Sequence, residues 1–495
     1  MPTASPAHAV FFPFPVQGHV ASALHLAKLL HARGGVRVTF VHSERNRRRV
    51  IRSHGEGALA AGAPGFRFAA VPDGLPSDDD DDGPSDPRDL LFSIGACVPH
   101  LKKILEEAAA SGTPATCVVS DVDHVLLAAR EMGLPAVAFW TTSACGLMAS
   151  LQCKELIDRG IIPLKADAEK LSNGYLDSTV VDWVPGMPAD MRLRDFFSFV
   201  RTTDTDDPVL AVVVSTMECL RTATSAVILN TFDALEGEVV AAMSRILPPI
   251  YTVGPLPQLT AASHVVASGA DPPDTPALSA ASLCPEDGGC LEWLGRKRPC
   301  SVLYVNFGSI VYLTSTQLVE LAWGLADSGH DFLWVIRDDQ AKVTGGDGPT
   351  GVLPAEFVEK TKGKGYLTSW CPQEAVLRHD AIGAFLTHCG WNSVLEGISN
   401  GVPMLCYPIA ADQQTNCRYA CTEWRVGVEV GDDIEREEVA RMVREVMEEE
   451  IKGKEVRQRA TEWKERAAMA VVPSGTSWVN LDRMVNEVFS PGNNM

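Results

Sequence analysis

The chain has 495 residues, 46% of them hydrophobic, with a formal net charge of −20 at pH 7. That length exceeds one ordinary core and fits two or three domains, and that charge excludes a nucleic-acid partner, whose phosphates are bound by neutralising Lys and Arg. Thirteen Cys without a CxxC pair read as reduced thiols, many of them small core residues, rather than a disulfide framework.

The opening "MPTASPAH" has no basic segment leading into a long apolar one, and no later run approaches the ~20 apolar residues that span a bilayer. A soluble, cytoplasmic protein with no membrane span is expected. The run at 9–14 is long enough only for a buried strand, and Val20, Leu24, Ala27 and Leu30 then recur at helical spacing. His19 therefore sits at a strand-to-helix turn, where open α/β sheets bind ligands; on this stretch alone, a purely structural role at the helix start stays open. The cluster Arg45, Arg47, Arg48 and Arg49 reads as the solvated face of a short helix.

Apolar runs at 36–41, 117–120, 136–139 and 226–229 alternate with helical patterns, the signature of parallel βα units. The intervening "LPSDDDDDGPSD" at 75–86 reads as a solvated loop, with a metal-binding tail the weaker alternative. Residues 255–290, rich in Ala, Ser, Pro, Gly and Asp, read as an interdomain linker. A second series of strands follows at 301–307, 332–336, 366–370, 383–386, 403–406 and 426–430. The chain thus reads as two doubly wound α/β domains, residues 1–254 and 291–472.

The densest stretch runs from Trp370 to Gln413. Its "GAFL" is a strand, "THCGWNS" a tight turn in which Gly390 lets the chain bend, and "VLEGI" the first turns of a helix with Asn392 and Ser393 at its start. Backbone N–H groups and the helix dipole there attract a phosphate. Glu396 follows Asn392 by four residues, about 6 Å away on the same helix face, which suits a ribose diol below that phosphate. Trp370 offers a flat face to a base or simply packs. His388 and Cys389, adjacent at a strand end, point to opposite faces and make a poor base–nucleophile pair; His388 reads instead as a cation or donor to a phosphate. Ser309, in "NFGS", reads as a second phosphate contact or as the cap of the next helix.

These residues carry a resemblance. The stretch resembles the signature box of plant family 1 UDP-glycosyltransferases at Trp370, Gln373, "HCGWNS" from His388, Glu396, "GVP" from Gly401 and the closing Asp412-Gln413. "FPVQGH", "CVVSD", "FWTTSAC" and "NCRY" extend it over essentially the whole chain. The resemblance implies a GT-B fold, two Rossmann-like domains facing across a cleft, with a helix inside 473–495 crossing back to the first domain. It implies that Trp370 stacks on uracil, with Cys371 beside it, and that Gln373 and Glu396 hold the ribose. Ser309, His388, Gly390, Asn392 and Ser393 would take the diphosphate. Trp391, Asp412 and Gln413 would contact the sugar hydroxyls, with Thr141 reaching the sugar from the first domain. Gln413 resembles the glucose-using members. UDP-glucose is then a co-substrate, with no other cofactor and no metal, and the protein a monomer.

Glycosyl transfer needs a deprotonated acceptor hydroxyl, and a neutral His whose tautomer is fixed by a carboxylate can take that proton. The strand "CVVSD" ends in Asp121, at the strand end neighbouring His19, and the resemblance likewise matches His19 to the base and Asp121 to its partner. Displacement at C1 of an α-linked donor gives a β-O-glucoside with inversion. Asp121-Val122-Asp123 also reads as a metal-binding DxD. Asp123 and His124 have no assigned role, and Arg425 stands where Gly is commoner. The acceptor pocket is placed on loops at 75–91, 144–162 and 187–199, suited to a small lipophilic secondary metabolite or hormone. "PVQGH", "FWTTSAC" and "RGIIPLK" resemble the subgroup with cyanohydrin, iridoid and terpenoid-alcohol glucosyltransferases; flavonoids stay open. A non-catalytic UDP-sugar-binding protein is the alternative.

Overall fold

Runs of Val, Ile, Leu, Ala and Phe four to seven residues long can bury both faces only inside a parallel sheet covered by helices. The computed structural model describes residues 6–60, 63–75, 87–164, 168–268, 282–343, 351–431, 433–448 and 451–490. Among them the runs form two such sheets. The chain divides into one unit of residues 1–284 and 469–495 and a second of residues 285–468.

In the first unit, β1 (His8–Phe11), β2 (Arg37–Ser43), β3 (Phe66–Val71), β4 (Cys117–Ser120), β5 (Ala136–Trp140), β6 (Ala226–Leu229) and β7 (Ile250–Thr252) lie in the order β3-β2-β1-β4-β5-β6-β7, every pairing parallel. In the second, β8 (Val302–Asn306), β9 (Asp331–Val335), β10 (Gly365–Thr368), β11 (Ile382–Thr387), β12 (Met404–Cys406) and β13 (Gly427–Glu429) lie in the order β10-β9-β8-β11-β12-β13, again all parallel. Strand order reverses direction between β1 and β4, and again between β8 and β11. Those are the switch points at which doubly wound sheets open a crevice.

Each sheet has its own core, with Phe11, Leu24, Leu30, Phe40, Val119, Val137 and Ile228 central to the first and Leu303, Val305, Leu321, Trp334, Leu386, Leu405 and Val443 to the second. The segment 255–290 is not a linker throughout. Leu256–Ser268 is a helix, and Leu256, Leu259 and Leu283 are buried in the first core, so apolar residues scattered through a low-complexity composition were enough to dock it. Residues 269–281 lie outside the described residues, as does the five-Asp run at 78–82. The helix Thr476–Val488 packs on the first unit: Asn480 bonds Thr252 at 2.7 Å, Arg483 donates to the Ile250 carbonyl, and Arg33 pairs with Asp482. The basic cluster lies on the helix Glu44–His54 with Arg47 and Arg48 exposed. No helix among the described residues is long and apolar enough to cross a membrane.

The structure accounts for Arg425. It follows the π-helical turn Tyr419–Glu423, where Trp424 N–H bonds the Tyr419 carbonyl and Val426 N–H the Ala420 carbonyl, and its φ is +57°. This is a left-handed helix stop, the position that favours glycine because a Cβ crowds the backbone there. The Arg425 side chain is exposed. Arg425→Gly should therefore stabilise the fold by about 0.5–1 kcal/mol after the entropy of the unfolded glycine is deducted; calorimetry should show a melting temperature at or above that of the native chain, with Arg425→Ala unchanged.

Candidate active site

In the first unit the crevice between β1 and β4 collects three side chains. His19 is the third residue of the helix Gln17–Gly34, whose cap, Val16, offers no side-chain bond. Asp121 directly follows β4 and Thr141 directly follows β5. Asp121 Oδ1 accepts the Phe14 N–H at 2.7 Å, and Oδ2 meets His19 Nδ1 in a short contact. Thr141 Oγ1 lies 2.9 Å from His19 Nδ1 and 3.4 Å from Asp121 Oδ2. The Asp121 side chain is 4% exposed and that of His19 31%, so the carboxylate is shielded while the imidazole stays reachable. With Nδ1–H donated to Asp121, the neutral ring keeps its lone pair on Nε2. The edge of the Phe14 ring holds the imidazole from one side. His19 is thus far more than a helix terminus. Thr141, expected to reach a sugar, spends its hydroxyl on the His–Asp pair.

Asp123 is buried and local: Oδ1 accepts the His124 N–H and faces His124 Nδ1 at 2.8 Å, and Oδ2 accepts the Ser215 hydroxyl. The carboxylates of Asp121 and Asp123 therefore serve different partners, contrary to a DxD chelate. Reading the sequence did not find Glu236. Its buried carboxylate accepts the Ala144 and Cys145 N–H groups at 3.1 and 2.8 Å, fixing the helix that starts just after Thr141. Burial raises its pKa. The segment 144–162, expected as a loop, consists largely of the helices Ala144–Leu151 and Cys153–Asp158.

In the second unit the remaining candidates follow the C-terminal ends of β8, β10, β11 and β12. Ser309 is half-buried on the loop after β8; Thr314, not Ser309, caps the following helix in a capping box with Gln317. His388 follows β11, and burial lowers its pKa to about 4, with the Arg337 charge adding to the shift. Of the two readings the sequence left open, cation or donor to a phosphate, that favours the neutral hydrogen-bond donor. The bend of the turn falls on Cys389, at φ +64°, while Gly390 has φ −59°. Glycine serves a different need here. A Cβ at Gly390 would stand 2.4 Å from His388 Nε2, and one at Gly308 would stand 2.6 Å from it, so the ring is clasped between two glycines. Gly390 then caps the helix Trp391–Asn400 with no side chain of its own.

Gln373 donates to Glu396 Oε2 at 2.7 Å and to Ser393 Oγ at 3.2 Å, and accepts from Asn306 Nδ2 and the Tyr304 hydroxyl. Tyr304 and Asn306 were not found in the sequence; both lie on β8, facing the box. Trp370 is half-buried, its carbonyl held by the Asp287 N–H. Cys371 is turned inward, 3.4 Å from the Tyr304 hydroxyl. The Trp391 ring is buried against Trp424, with centroids 6.0 Å apart, so only its main chain can serve a ligand. Gln413 is buried and its carbonyl accepts the Ile409 and Ala410 N–H groups, which leaves its amide nitrogen alone for any outward contact. Asn416, another residue missed, ties the Cys389 carbonyl to Asp412 Oδ2 at 2.9 and 2.8 Å. Arg337 anchors the Ser309 loop through the Gly308 and Val311 carbonyls.

Glu396 is the most perturbed acid of this group. Burial and the neighbouring Glu374 raise its pKa to about 8, against the lowering effect of the Gln373 bond. An acid with a raised pKa in the folded state holds its proton where the unfolded chain has released it, so its contribution to stability falls as pH rises from about 4.5 to 8. Glu396→Gln should abolish that dependence: denaturant titrations should find the variant more stable than the native chain at pH 8.5 by a few kcal/mol, about 5 at most, and the two nearly alike near pH 5.

A family profile described as UDP-glucoronosyl and UDP-glucosyl transferase matches residues 294–468. The chain is 47% identical over 485 residues to (R)-mandelonitrile beta-glucosyltransferase of Prunus dulcis, covering 97% of each chain. It is 45% identical over 490 residues to 7-deoxyloganetin glucosyltransferase of Gardenia jasminoides, covering 98% of each. Its fold matches the crystal structure of Os79 from O. sativa in complex with UDP at a TM-score of 0.78 and 27% identity, over 97% of this chain and 100% of that one. With two parallel sheets in this strand order and relatives matched along nearly its whole length, the chain belongs to the UDP-glycosyltransferases and has the GT-B fold.

Proposed function

We propose that the protein transfers glucose from UDP-glucose to a hydroxyl of a small lipophilic metabolite, with inversion, giving a β-O-glucoside. The observation that carries this reading is the shielded Asp121 carboxylate on His19 Nδ1, which leaves Nε2 as a base. A protein that only held UDP would have no use for that pair. The acceptor proton passes to Nε2 as the acceptor oxygen bonds to C1; the C1–oxygen bond to UDP breaks, and its electron pair leaves on the diphosphate. Asp121 stabilises the imidazolium that forms. Removing a proton this way contributes roughly 10²–10⁴ in rate.

The donor half of the reading rests on the second unit. The half-buried Trp370 ring suits uracil, the Gln373–Glu396 pair the ribose diol, and Ser309, the neutral His388 and the start of the helix at Asn392 and Ser393 the diphosphate. Asp412 and the amide nitrogen of Gln413 suit the sugar hydroxyls. Charge on the departing diphosphate is met by N–H and O–H dipoles already in place, so no metal step enters the reading. For the acceptor, the relatives named for mandelonitrile and 7-deoxyloganetin point to small alcohols such as cyanohydrins and iridoids, ahead of flavonoids.

His19→Ala, assayed as UDP release from UDP-glucose with a panel of small alcohols in the presence of EDTA, should lose roughly 100-fold or more in turnover. Its UDP affinity by calorimetry should stay within about twofold of the native protein. Near-normal turnover would exclude His19 as base, and dependence of the native enzyme on added Mg²⁺ or Mn²⁺ would exclude the metal-free departure of UDP.

A further inference from the structure

Three of the thirteen cysteines converge beside the donor candidates, with a fourth next to one of them. Cys389 lies in the turn after β11, Cys406 ends β12, and Cys417 lies on the helix Gln413–Arg418, all three buried and with sulfurs within 4.8 Å of one another. Cys421, one turn on from Cys417 in the π-helical turn and half-buried, brings its sulfur to 4.0 Å from that of Cys417. Gly427 backs the group: a Cβ there would stand 2.7 Å from Cys406 Sγ and 3.4 Å from Cys421 Sγ. Single buried cysteines are ordinary small core residues. Three of them, drawn from the turn after β11, the end of β12 and the helix beyond, with sulfurs within 4.8 Å of one another and a fourth 4.0 Å from Cys417, form a donor set.

We propose that this cluster is a binding site for a thiophilic d¹⁰ cation of the Zn²⁺ type, held by Cys389, Cys406 and Cys417 with Cys421 as fourth ligand and point of entry. Three sulfurs no more than 4.8 Å apart admit a central ion within about 2.8 Å of each, and a contraction of a few tenths of an ångström brings that to the ~2.3 Å of a Zn–S bond. The 4.0 Å between Cys417 and Cys421 already matches the ~3.8 Å edge of a tetrahedral four-thiolate site. Binding exchanges the thiol protons for the ion, each released to solvent, with no change of oxidation state.

The site is linked to the donor residues by covalent neighbours. Cys389 stands between His388 and Gly390, and Asn416, next to Cys417, holds both the Cys389 carbonyl and Asp412. Drawing the sulfurs inward pulls on the turn that clasps His388. The ion therefore weakens UDP binding, and UDP weakens ion binding by the same factor; this coupling, unlike the site itself, rests on the proposed function.

Cd²⁺ is the probe, added to the purified, fully reduced full-length protein. A thiolate-to-cadmium ultraviolet band that saturates at one Cd²⁺ per chain is expected, unchanged in Cys300→Ser, which removes the exposed cysteine outside the cluster. Cys406→Ser and the better-packing Cys406→Val should weaken Cd²⁺ binding at least tenfold while retaining native circular dichroism. The site is overturned if the native protein shows no such band, or if a folded Cys406 variant binds Cd²⁺ as the native protein does. The coupling is read separately, as at least a threefold rise in the UDP dissociation constant with one Cd²⁺ bound; an unchanged constant removes the coupling and leaves the site standing.

Discussion

One carboxylate organises the first unit's chemistry. Asp121 closes the end of β4 against the end of β1 by taking the Phe14 N–H on one oxygen and His19 on the other. Since β1 and β4 flank the point where strand order reverses, nothing but the loops after them can fill the crevice, and a buried carboxylate there must find donors. The donors are the backbone that aims the helix carrying His19 and the imidazole itself. Position, tautomer and charge stabilisation of the proposed base would thus follow from a single interaction, and Thr141 and Phe14 only restrict it further.

The second unit uses the same topology for the opposite electrostatic task. In the proposed reaction the first unit's buried carboxylate supports a cation, and the second unit's dipoles receive an anion. Burial lowers the pKa of His388, the two glycines around it let the backbone approach closely, and Gly390 brings no side-chain cap to the helix start. The Tyr304–Asn306–Gln373–Glu396 chain of hydrogen bonds holds the ribose candidates in place before any ligand arrives. Preorganised dipoles of this kind cost no rearrangement when charge develops on a leaving diphosphate.

Much of this was legible in the sequence because doubly wound sheets read as unbroken apolar runs and place their sites at strand ends. His19, Asp121 and the turn at 387–393 could be placed at strand ends from the apolar runs, while the roles of the 370–413 box came from its resemblance to a known family. What escaped has physical causes. β3, with Arg67 exposed and its middle half-buried, sits at a sheet edge where the apolar signal weakens. The helix Leu256–Ser268 hides in a composition typical of linkers. Asn306, Asn416 and Glu236 matter through partners 67, 27 and 92 residues away, which spacing cannot reveal. The sequence left His388 as either a cation or a donor because burial, which sequence does not report, decides between them. Arg425 was noticed as an oddity, and only its backbone angle explains why glycine is commoner there.

The central claim is that Asp121 makes a base of His19. The most direct measurement is the turnover of Asp121→Asn with UDP-glucose and a small alcohol, taken beside its UDP affinity. An asparagine keeps the Phe14 bond through its carbonyl oxygen but cannot stabilise an imidazolium, so turnover should fall roughly 100-fold or more with UDP affinity unchanged. Turnover within a few-fold of the native protein, at native UDP affinity, would contradict the account.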